Sequence, residues 1–461
     1  MGVAVSNWVL ARAVSELGQM GVVSGTALAP ALARRLQLGD AGGNLRRALA
    51  SFPFPEISQR ILADYFIEGG KPAGTPFKPV AMPALQSRRA LVELNVAANF
   101  VEVFLAKEGH SGPVGINYLE KIQLPTLPSL FGAMLAGVDY VLMGAGIPRA
   151  IPGVLDRFAS GATAELRVDV AGAGPEENFV TQFDPREFCG KAPPELPRPK
   201  FIGIISSSVL ALTLAKKASG RVDGFVVEGS TAGGHNAPPR GELQLSSSGE
   251  PIYGSRDCVE LGKLRDLGLP FWLAGSYGRP GKLAEALAQG AAGVQVGTAF
   301  AFCDESGLTP EIKREALALS RRHEARVFTD PRISPAGFPF KVAQVAGTIS
   351  DPIVRSNRRC VCDLGYLRQV YRKSNGKIGY RCAAEAPITF LRKGGRIEEI
   401  EGRGCLCNAL MAAVGLGQLH SDQTEEPAVV TAGDDLVTIA EFIPEGQDSY
   451  TVADVLERLL A

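Results

Sequence analysis

The chain has 461 residues, and its 48 Lys and Arg residues balance its 48 Asp and Glu residues. This zero formal charge argues against a protein that binds nucleic acid and against one held at an anionic membrane surface. The length accommodates a barrel of roughly 250 residues with additions, and the 53 glycines suit the many turns of such a fold.

The first residues, MGVAVSNWVLARAV, contain no basic segment followed by an apolar core, so they do not predict a signal peptide. We therefore expect a soluble, cytoplasmic protein. Residues 286–303 carry no charge, but three Gly, two Gln and one Thr favour a strand and helix over a membrane span. Without a secretion signal, the eight cysteines indicate reduced thiols or metal ligands rather than disulfides.

Short apolar segments along the chain predict buried strands. In chain order, the seven candidates are 21–25, 113–117, 139–144, 200–206, 222–228, 270–276 and 293–298. Helical patterns separate most of these segments, and this alternation predicts a parallel α/β fold.

Two regions depart from the alternation. Residues 29–110 carry several helical patterns around the Pro-rich loop KPAGTPFKPVAMP, and we interpret them as a helical insertion. Residues 350–461 hold five of the eight cysteines and end in the helical pattern TVADVLERLLA. We expect a barrel domain over 1–349 and a Cys-containing C-terminal subdomain over 350–461.

The most informative motif is VVEGSTAGGHNAPPRG, residues 226–241. Gly233 and Gly234 lack Cβ atoms, so the backbone there can turn tightly or lie against a flat ligand. His235 follows directly, and histidine exchanges protons near neutral pH. This arrangement is typical of a reactive site at the carboxyl end of a parallel strand. A buried structural histidine bonded to a backbone carbonyl is the alternative.

Two later strands each end in a glycine followed by a hydroxyl residue, at Gly275–Ser276 and at Gly297–Thr298. A helix predicted at 282–289 lies between them, and Gly290 is placed to end it. The two strand ends can present backbone N–H groups to one phosphate, as the last strand-to-helix loops of barrels often do.

Together, the GGH turn, the AGS strand end and the GVQVGTAF strand resemble the nitronate monooxygenases, formerly called 2-nitropropane dioxygenases. That family comprises FMN-dependent TIM (β/α)8 barrels related to flavin enoyl reductases, and the similarity extends from the first residues to about Gly347. The resemblance implies one more strand ahead of the helix predicted at 7–17, where the chain has only MGVAV. Either these residues supply a stub or the chain begins upstream, because an open barrel exposes two unpaired edges.

The resemblance also implies roles for individual residues. His235 becomes the catalytic base, or the group that stabilises the substrate anion beside the flavin. The amide of Asn117 matches the polar edge of the flavin ring. Glu228 is equally compatible with a surface position. The implied FMN contacts are Ser24, Gly25, Thr26, Asn117, Glu228, Gly233, Gly234, Gly275, Ser276, Gly297 and Thr298.

Four further residues lie near these strand ends. Lys121 is placed to reach the mouth of the site, although we expect it to be solvated. Met143 and Gly144 end a strand where an apolar side chain would wall the substrate pocket. Arg240 is placed to pair with a substrate carboxylate, although a loop arginine is more often solvated.

The cysteines of the C-terminal region form a separate hypothesis. Cys362, Cys382, Cys405 and Cys407 have the composition of a structural zinc site with four thiolate ligands. Of these four, only Cys405 and Cys407 are separated by a single residue, as in a CxC motif. The sequence contains no CxxC pair. Buried, reduced cysteines are the alternative.

The motifs and the resemblance predict an FMN-dependent oxidoreductase that oxidises alkyl nitronates with O2 to a carbonyl compound and nitrite. The predicted partners are a small-molecule substrate and O2, with no nucleic acid and no membrane, and a homo-oligomer is left open. One alternative is an NAD(P)H-dependent flavin enoyl or quinone reductase. The other is a partner-binding protein that docks through its Cys-containing region.

Overall fold

The computed structural model describes residues 2–461, and its centre is a parallel sheet of seven strands. In chain order the strands are β1 (Gly21–Ser24), β2 (Val114–Leu119), β3 (Tyr140–Gly144), β4 (Lys200–Ile205), β5 (Gly224–Glu228), β6 (Phe271–Ala274) and β7 (Gly293–Gln295). Each strand is hydrogen-bonded to the next in this same order. All seven predicted strands are therefore confirmed, and the alternation of strand and helix correctly predicted the parallel α/β fold.

The edges of this sheet are β1 and β7, and no strand precedes β1 within residues 2–461. The eight-stranded barrel is therefore corrected to a seven-stranded sheet in the part of the chain that is described. Residues 3–5 form a turn rather than a stub of strand, because Ala4 has a φ of 51°, outside the extended region. Ser6 contacts β1 through its backbone oxygen, which accepts from Ser24 N at 2.8 Å, and through its hydroxyl, which donates to Val22 O at 2.6 Å.

Helices cover the outside of the sheet. Trp8–Glu16 precedes β1, and the Asn7 side chain caps it by accepting from Leu10 N at 3.0 Å. The helices that follow the strands are Arg89–Lys107, Thr126–Leu135, Ile151–Ala159, Ser208–Lys217, Leu261–Arg265, Lys282–Ala288, Thr298–Ala301 and Pro310–Arg321. A 3-10 turn at Ser255–Asp257 and a short helix at Pro185–Cys189 complete this layer.

Short strands pair outside the main sheet. They are Ala164–Arg167, Val170–Ala171, Val180–Phe183, Gly234–His235, Val327–Asp330, Phe340–Ala343, Gln369–Arg372 and Ile378–Arg381. The pairing most relevant to function joins Gly234–His235 to Phe340–Lys341 in antiparallel register. This pairing fixes the loop that follows β5.

Four helices lie between β1 and β2, namely Leu28–Gln37, Asn44–Ala50, Pro55–Tyr65 and Arg89–Lys107. The predicted loop at 71–83 contains neither helix nor strand. Arg89–Lys107 is buried along most of its length, because the other helices cover the face that it turns away from the sheet. This helix leads directly into β2, and the interpretation of residues 29–110 as an insertion stays a prediction.

The region 350–461 contains four helices and two 3-10 helices: Pro352–Asn357, Pro387–Arg392, Ile397–Glu399, Leu406–Ala412, Asp434–Phe442 and Val452–Leu460. Its buried side chains share hydrophobic clusters with earlier parts of the chain. Tyr366 packs in one cluster with Ala27 and Ile122, and Val455 packs in another with Phe302. The hydrophobic core thus crosses the predicted boundary at 349/350.

None of the helices in residues 2–461 combines the length and the apolar character that a membrane span requires.

Candidate active site

A cavity of about 920 Å³, partly open to solvent, lies at the carboxyl ends of the parallel strands. Six of the seven strands contribute a residue at or just after their ends, namely Thr26, Asn117, Gly144, Ile204, Glu228 and Gln295. Ligands of parallel α/β folds bind at this edge, because the strand-to-helix loops converge there. The structure therefore brings Thr26, Asn117 and Glu228 together with the GGH turn.

The opposite side of the cavity, here called the C-terminal wall, is formed by Phe340, Tyr366, Leu367, Leu406, Cys407, Leu410 and Thr431. Sequence analysis named only Cys407 among these residues, as a candidate metal ligand, and missed the other six. They lie far from the strand-end motifs along the chain, and their spacing carries no signal for a binding site. Their apolar side chains would exclude water from one face of a bound ligand.

The GGH turn is held tightly against the C-terminal region. A Cβ atom on Gly233 would lie 2.5 Å from the backbone carbon of Ala432, so no other residue fits there without movement. Gly234 has a φ of 81°, which favours glycine. The Asn236 side chain closes the turn by donating to Ser230 O at 3.3 Å and to Ala232 O at 3.2 Å. Backbone packing, rather than ligand approach alone, therefore requires the glycine pair.

His235 extends from this turn into the cavity. Its Nε2 lies 2.8 Å from the hydroxyl of Ser334, and its ring packs edge-on against Phe340 with centroids 4.7 Å apart. The partner is a buried side-chain hydroxyl, not the backbone carbonyl that a structural histidine was expected to have. Burial and the nearby Lys121 lower the pKa of His235 well below its usual range. The imidazole is therefore neutral at pH 7, with Nδ1 left for a substrate.

The side chain of Lys121 is half-buried and its Nζ is buried, so the expectation of a solvated lysine was wrong. The Nζ lies 3.0 Å from the centroid of the Phe338 ring and has no hydrogen-bond partner within residues 2–461. Glu120, the residue before it, donates its backbone N–H to Gly144 O at 2.9 Å in the turn after β2. Burial lowers the pKa of Lys121 to about 7, although the nearby Glu120 opposes this shift.

Glu228 ends β5, is half-buried and lines the strand-end cavity. Burial raises the pKa of this carboxyl to about 7. Glu228 and His235 also border a second cavity of about 1050 Å³, lined on its far side by Ser206, Tyr253 and Arg240. Shifted pKa values concentrated at a cavity are typical of reactive sites.

Several predicted residues do not line the strand-end cavity. Gly25 packs against Tyr118, where a Cβ atom would lie 2.4 Å from the ring, and Ser24 binds the backbone of Ser6. Met143 is fully buried in the hydrophobic core instead of walling the pocket, since its side chain faces away from the site. Arg240 is exposed at the border of the second cavity.

The predicted phosphate-binding strand ends contact the C-terminal region. Thr298 Oγ1 accepts from Gly433 N at 2.9 Å, and Asp435 Oδ2 accepts from Gly278 N at 3.0 Å. Ser276 Oγ is buried and has no partner within residues 2–461. The phosphate roles of Gly275, Ser276, Gly297 and Thr298 stay predictions, and the unpaired hydroxyl of Ser276 is compatible with one.

The four predicted metal-binding cysteines line one small cavity of about 280 Å³, together with Arg368 and Glu385. All eight cysteines are unpaired. In residues 2–461, no three His, Cys, Asp or Glu side chains are grouped as a metal site. Zinc binding by Cys362, Cys382, Cys405 and Cys407 therefore stays a prediction.

The chain is similar to several known proteins. A Mycobacterium tuberculosis (strain ATCC 25618 / H37Rv) relative, (3aS,4S,5R,7aS)-5-hydroxy-7a-methyl-1-oxo-octahydro-1H-indene-4-carboxyl-CoA dehydrogenase, is 28% identical over 202 residues. The match covers 40% of this chain and 54% of that relative, so the chain spans about half the relative's length.

Two solved structures align over nearly the whole chain. FabK from Thermotoga maritima has a TM-score of 0.46 at 15% identity, covering 99% of this chain and 88% of FabK. Nitroalkane oxidase from Streptomyces ansochromogenes has a TM-score of 0.45 at 15% identity, covering 100% of this chain and 92% of the oxidase.

Residues 199–331, which carry β4 to β7 and His235, match the family model described as nitronate monooxygenase. The resemblance drawn from the GGH, AGS and GVQVGTAF motifs is therefore confirmed as a nitronate monooxygenase domain over residues 199–331.

Proposed function

We propose that the protein is an FMN-dependent oxidoreductase that oxidises alkyl nitronates with O2 to a carbonyl compound and nitrite. The match of residues 199–331 to the nitronate monooxygenase family model supports this class of reaction. The observation that carries the proposal is the position of His235, which lines a cavity built from six strand ends and is held at Nε2 by the Ser334 hydroxyl at 2.8 Å. This side chain can exchange a proton directly with a bound substrate.

The strand-end cavity suits a flavin. Its lining combines apolar side chains with a few polar groups, as the lining of ligand pockets commonly does. Asn117 and Gln295 supply amide groups along the cavity, and the Ser276 hydroxyl is free to donate to a phosphate oxygen. A bound FMN would supply the redox chemistry, taking electrons from the substrate and passing them to O2.

We assign the flavin contacts to two groups of residues. The ring would rest against Thr26, Asn117, Glu228, Gly233 and Gly234, all of which line the cavity. The phosphate end would use the strand-end residues Gly275, Ser276, Gly297 and Thr298, whereas Ser24 and Gly25 stay predicted FMN contacts without an assigned part of the cofactor.

His235 acts on the substrate through Nδ1, because Nε2 is engaged by Ser334. The neutral ring removes the α-proton of a nitroalkane, or donates a hydrogen bond to a nitronate oxygen, according to its tautomer. Phe340 packs against the ring and limits the access of water to it. Ser334 fixes the orientation of the imidazole without adding charge.

Lys121 lies near His235 and lowers its pKa, although it lines neither cavity. An alkyl nitronate is an anion, and the Nζ of Lys121 has N–H donors with no partner in the described chain. Binding of an anion nearby would favour the charged form of Lys121. We therefore assign contact with the nitro group to His235, and a nearby positive charge to Lys121.

An NAD(P)H-dependent flavin enoyl or quinone reductase is the second candidate. The observation that favours it is the second cavity of about 1050 Å³, which adjoins the first at Glu228 and His235. A second cavity beside the first would give a nicotinamide or an acyl thioester a place next to the flavin. The M. tuberculosis relative is named as a dehydrogenase of a CoA thioester.

Steady-state assays on the FMN-loaded protein separate the two candidates. Ethyl nitronate is expected to give nitrite with matching consumption of O2, and no dependence on NADPH. NADPH oxidation driven by an enoyl-CoA or a quinone, with no nitrite from the nitronate, would replace the monooxygenase by the reductase.

A further inference from the structure

We propose that Cys362, Cys382, Cys405 and Cys407 bind one zinc ion as four thiolates, and that this ion fixes the C-terminal wall of the strand-end cavity. All four side chains line a single cavity of about 280 Å³. Four thiolates are a common ligand set for structural zinc, which they hold in tetrahedral geometry.

Three separate segments of the chain bring these cysteines together. Cys382 directly follows the strand Ile378–Arg381, which pairs antiparallel with Gln369–Arg372 and so returns the chain towards Cys362. Cys405 immediately precedes the helix Leu406–Ala412, and Cys407 lies in its first turn. Their convergence is therefore a property of the fold rather than of local spacing.

Charged side chains of both signs surround the proposed site. Replacing four thiol protons by one Zn²⁺ leaves two negative charges on the site. Arg368 and Glu385 line the same cavity, and Arg358 is paired with Glu426. Within residues 2–461 no three His, Cys, Asp or Glu side chains are grouped as a metal site, so the four sulfurs would have to draw together around the ion.

The proposed zinc site adjoins the candidate active site. Leu367, Leu406 and Cys407 line both the thiol cavity and the strand-end cavity. An ion bound to Cys407 would therefore hold the neighbouring residues of the C-terminal wall in place. This role concerns the shape of the flavin pocket and does not depend on whether the substrate is a nitronate.

Metal analysis of the purified full-length protein tests the proposal. We expect about one equivalent of zinc per chain, and X-ray absorption at the zinc edge should show four sulfur neighbours at about 2.3 Å. Absence of zinc, iron with sulfide in its place, or nitrogen and oxygen neighbours would each overturn the four-thiolate assignment. These measurements use the unaltered protein and do not depend on variants that fold.

Two cysteines of one motif provide a matched pair of variants. Cys360 is exposed and does not line the thiol cavity, whereas Cys362, two positions later, does. We expect Cys362→Ser to lower zinc well below one equivalent, and Cys360→Ser to retain it. Equal zinc contents in the two variants would contradict the assignment.

Zinc removal tests the positioning role. The zinc-depleted wild-type protein is expected to bind FMN more weakly, and re-addition of zinc should restore the affinity. Unchanged FMN affinity after zinc removal would overturn the role of the ion in fixing the wall.

Discussion

The two sides of the cavity differ in how the sequence encodes them. One side consists of the strand ends, and the other is the C-terminal wall. The strand ends follow short apolar runs whose neighbours in the sheet are also neighbours in sequence. The C-terminal wall uses residues such as Tyr366, Leu406 and Thr431, which reach the cavity only through contacts distant in the chain. Local pattern thus places the reactive groups, and long-range packing determines the environment that shifts their pKa values.

The two sides meet at a few close contacts. The backbone of Ala432 covers Gly233, and Gly433 N donates to Thr298 Oγ1 at 2.9 Å. Asp435 accepts from Arg279 Nε at 2.9 Å in the loop after β6. These contacts connect the wall to the GGH turn and to both predicted phosphate loops.

Removal of the imidazole should have the largest effect. His235→Ala is expected to lower turnover of nitroalkane or nitronate by roughly 10²–10⁴-fold, because proton transfer by a positioned side chain contributes about that much. Steady-state kinetics and FMN content should be measured together. His323→Asn, which changes an exposed histidine outside the site, should leave the rate unchanged. Full activity of His235→Ala with bound FMN would contradict the role of His235.

Removal of the buried ammonium should come next. Lys121→Met keeps the length of the side chain but loses the charge, and we expect a KM for ethyl nitronate raised roughly 10–100-fold, since hydrogen bonds to charged groups contribute about 1.5–3 kcal/mol. The kcat value should change less. Lys216→Met, at an exposed position, is the matched control. An unchanged KM would mean that Lys121 only packs against Phe338.

The same lysine predicts a pH dependence. Burial lowers the pKa of Lys121 to about 7, so its charge disappears as pH rises through this value. We expect kcat/KM for the anionic nitronate to fall over that range, and Lys121→Met to lose the fall.

Glu228 gains negative charge over the same range, because burial raises its pKa to about 7. Glu228→Gln is therefore a necessary second variant. If the fall disappears in Glu228→Gln but persists in Lys121→Met, the carboxyl rather than the lysine controls the pH dependence.

The contact between the two sides of the cavity predicts the smallest effect. Gly233→Ala places a Cβ atom 2.5 Å from the backbone of Ala432, and we expect it to lower the free energy of unfolding by about 1–3 kcal/mol. Thermal unfolding measures this change. Gly254→Ala is the control, because a Cβ atom there meets nothing within 4 Å. Equal melting temperatures for the two variants would show that the turn and the wall adjust freely.

The sequence predicted the strand-end side of the cavity better than it predicted the contacts made by residues distant in the chain. The run GFVVE predicted β5, and the GGH motif placed His235 beside the cavity, because both depend on neighbouring residues. Lys121 points inward against Phe338, a residue more than two hundred positions away. The expectation that Lys121 is solvated, as most lysines are, was therefore wrong. Ser334 carried no signal for the same reason. The eighth strand was expected from the resemblance, and residues 3–5 form a turn in its place.

The most direct test of the central claim is to mix the FMN-loaded protein anaerobically with one reductant at a time, while recording the visible absorbance of the flavin. Ethyl nitronate is expected to change the flavin spectrum rapidly, and NADPH is expected to leave it unchanged. Rapid bleaching by NADPH, with no response to the nitronate, would contradict the account and identify the protein as a reductase.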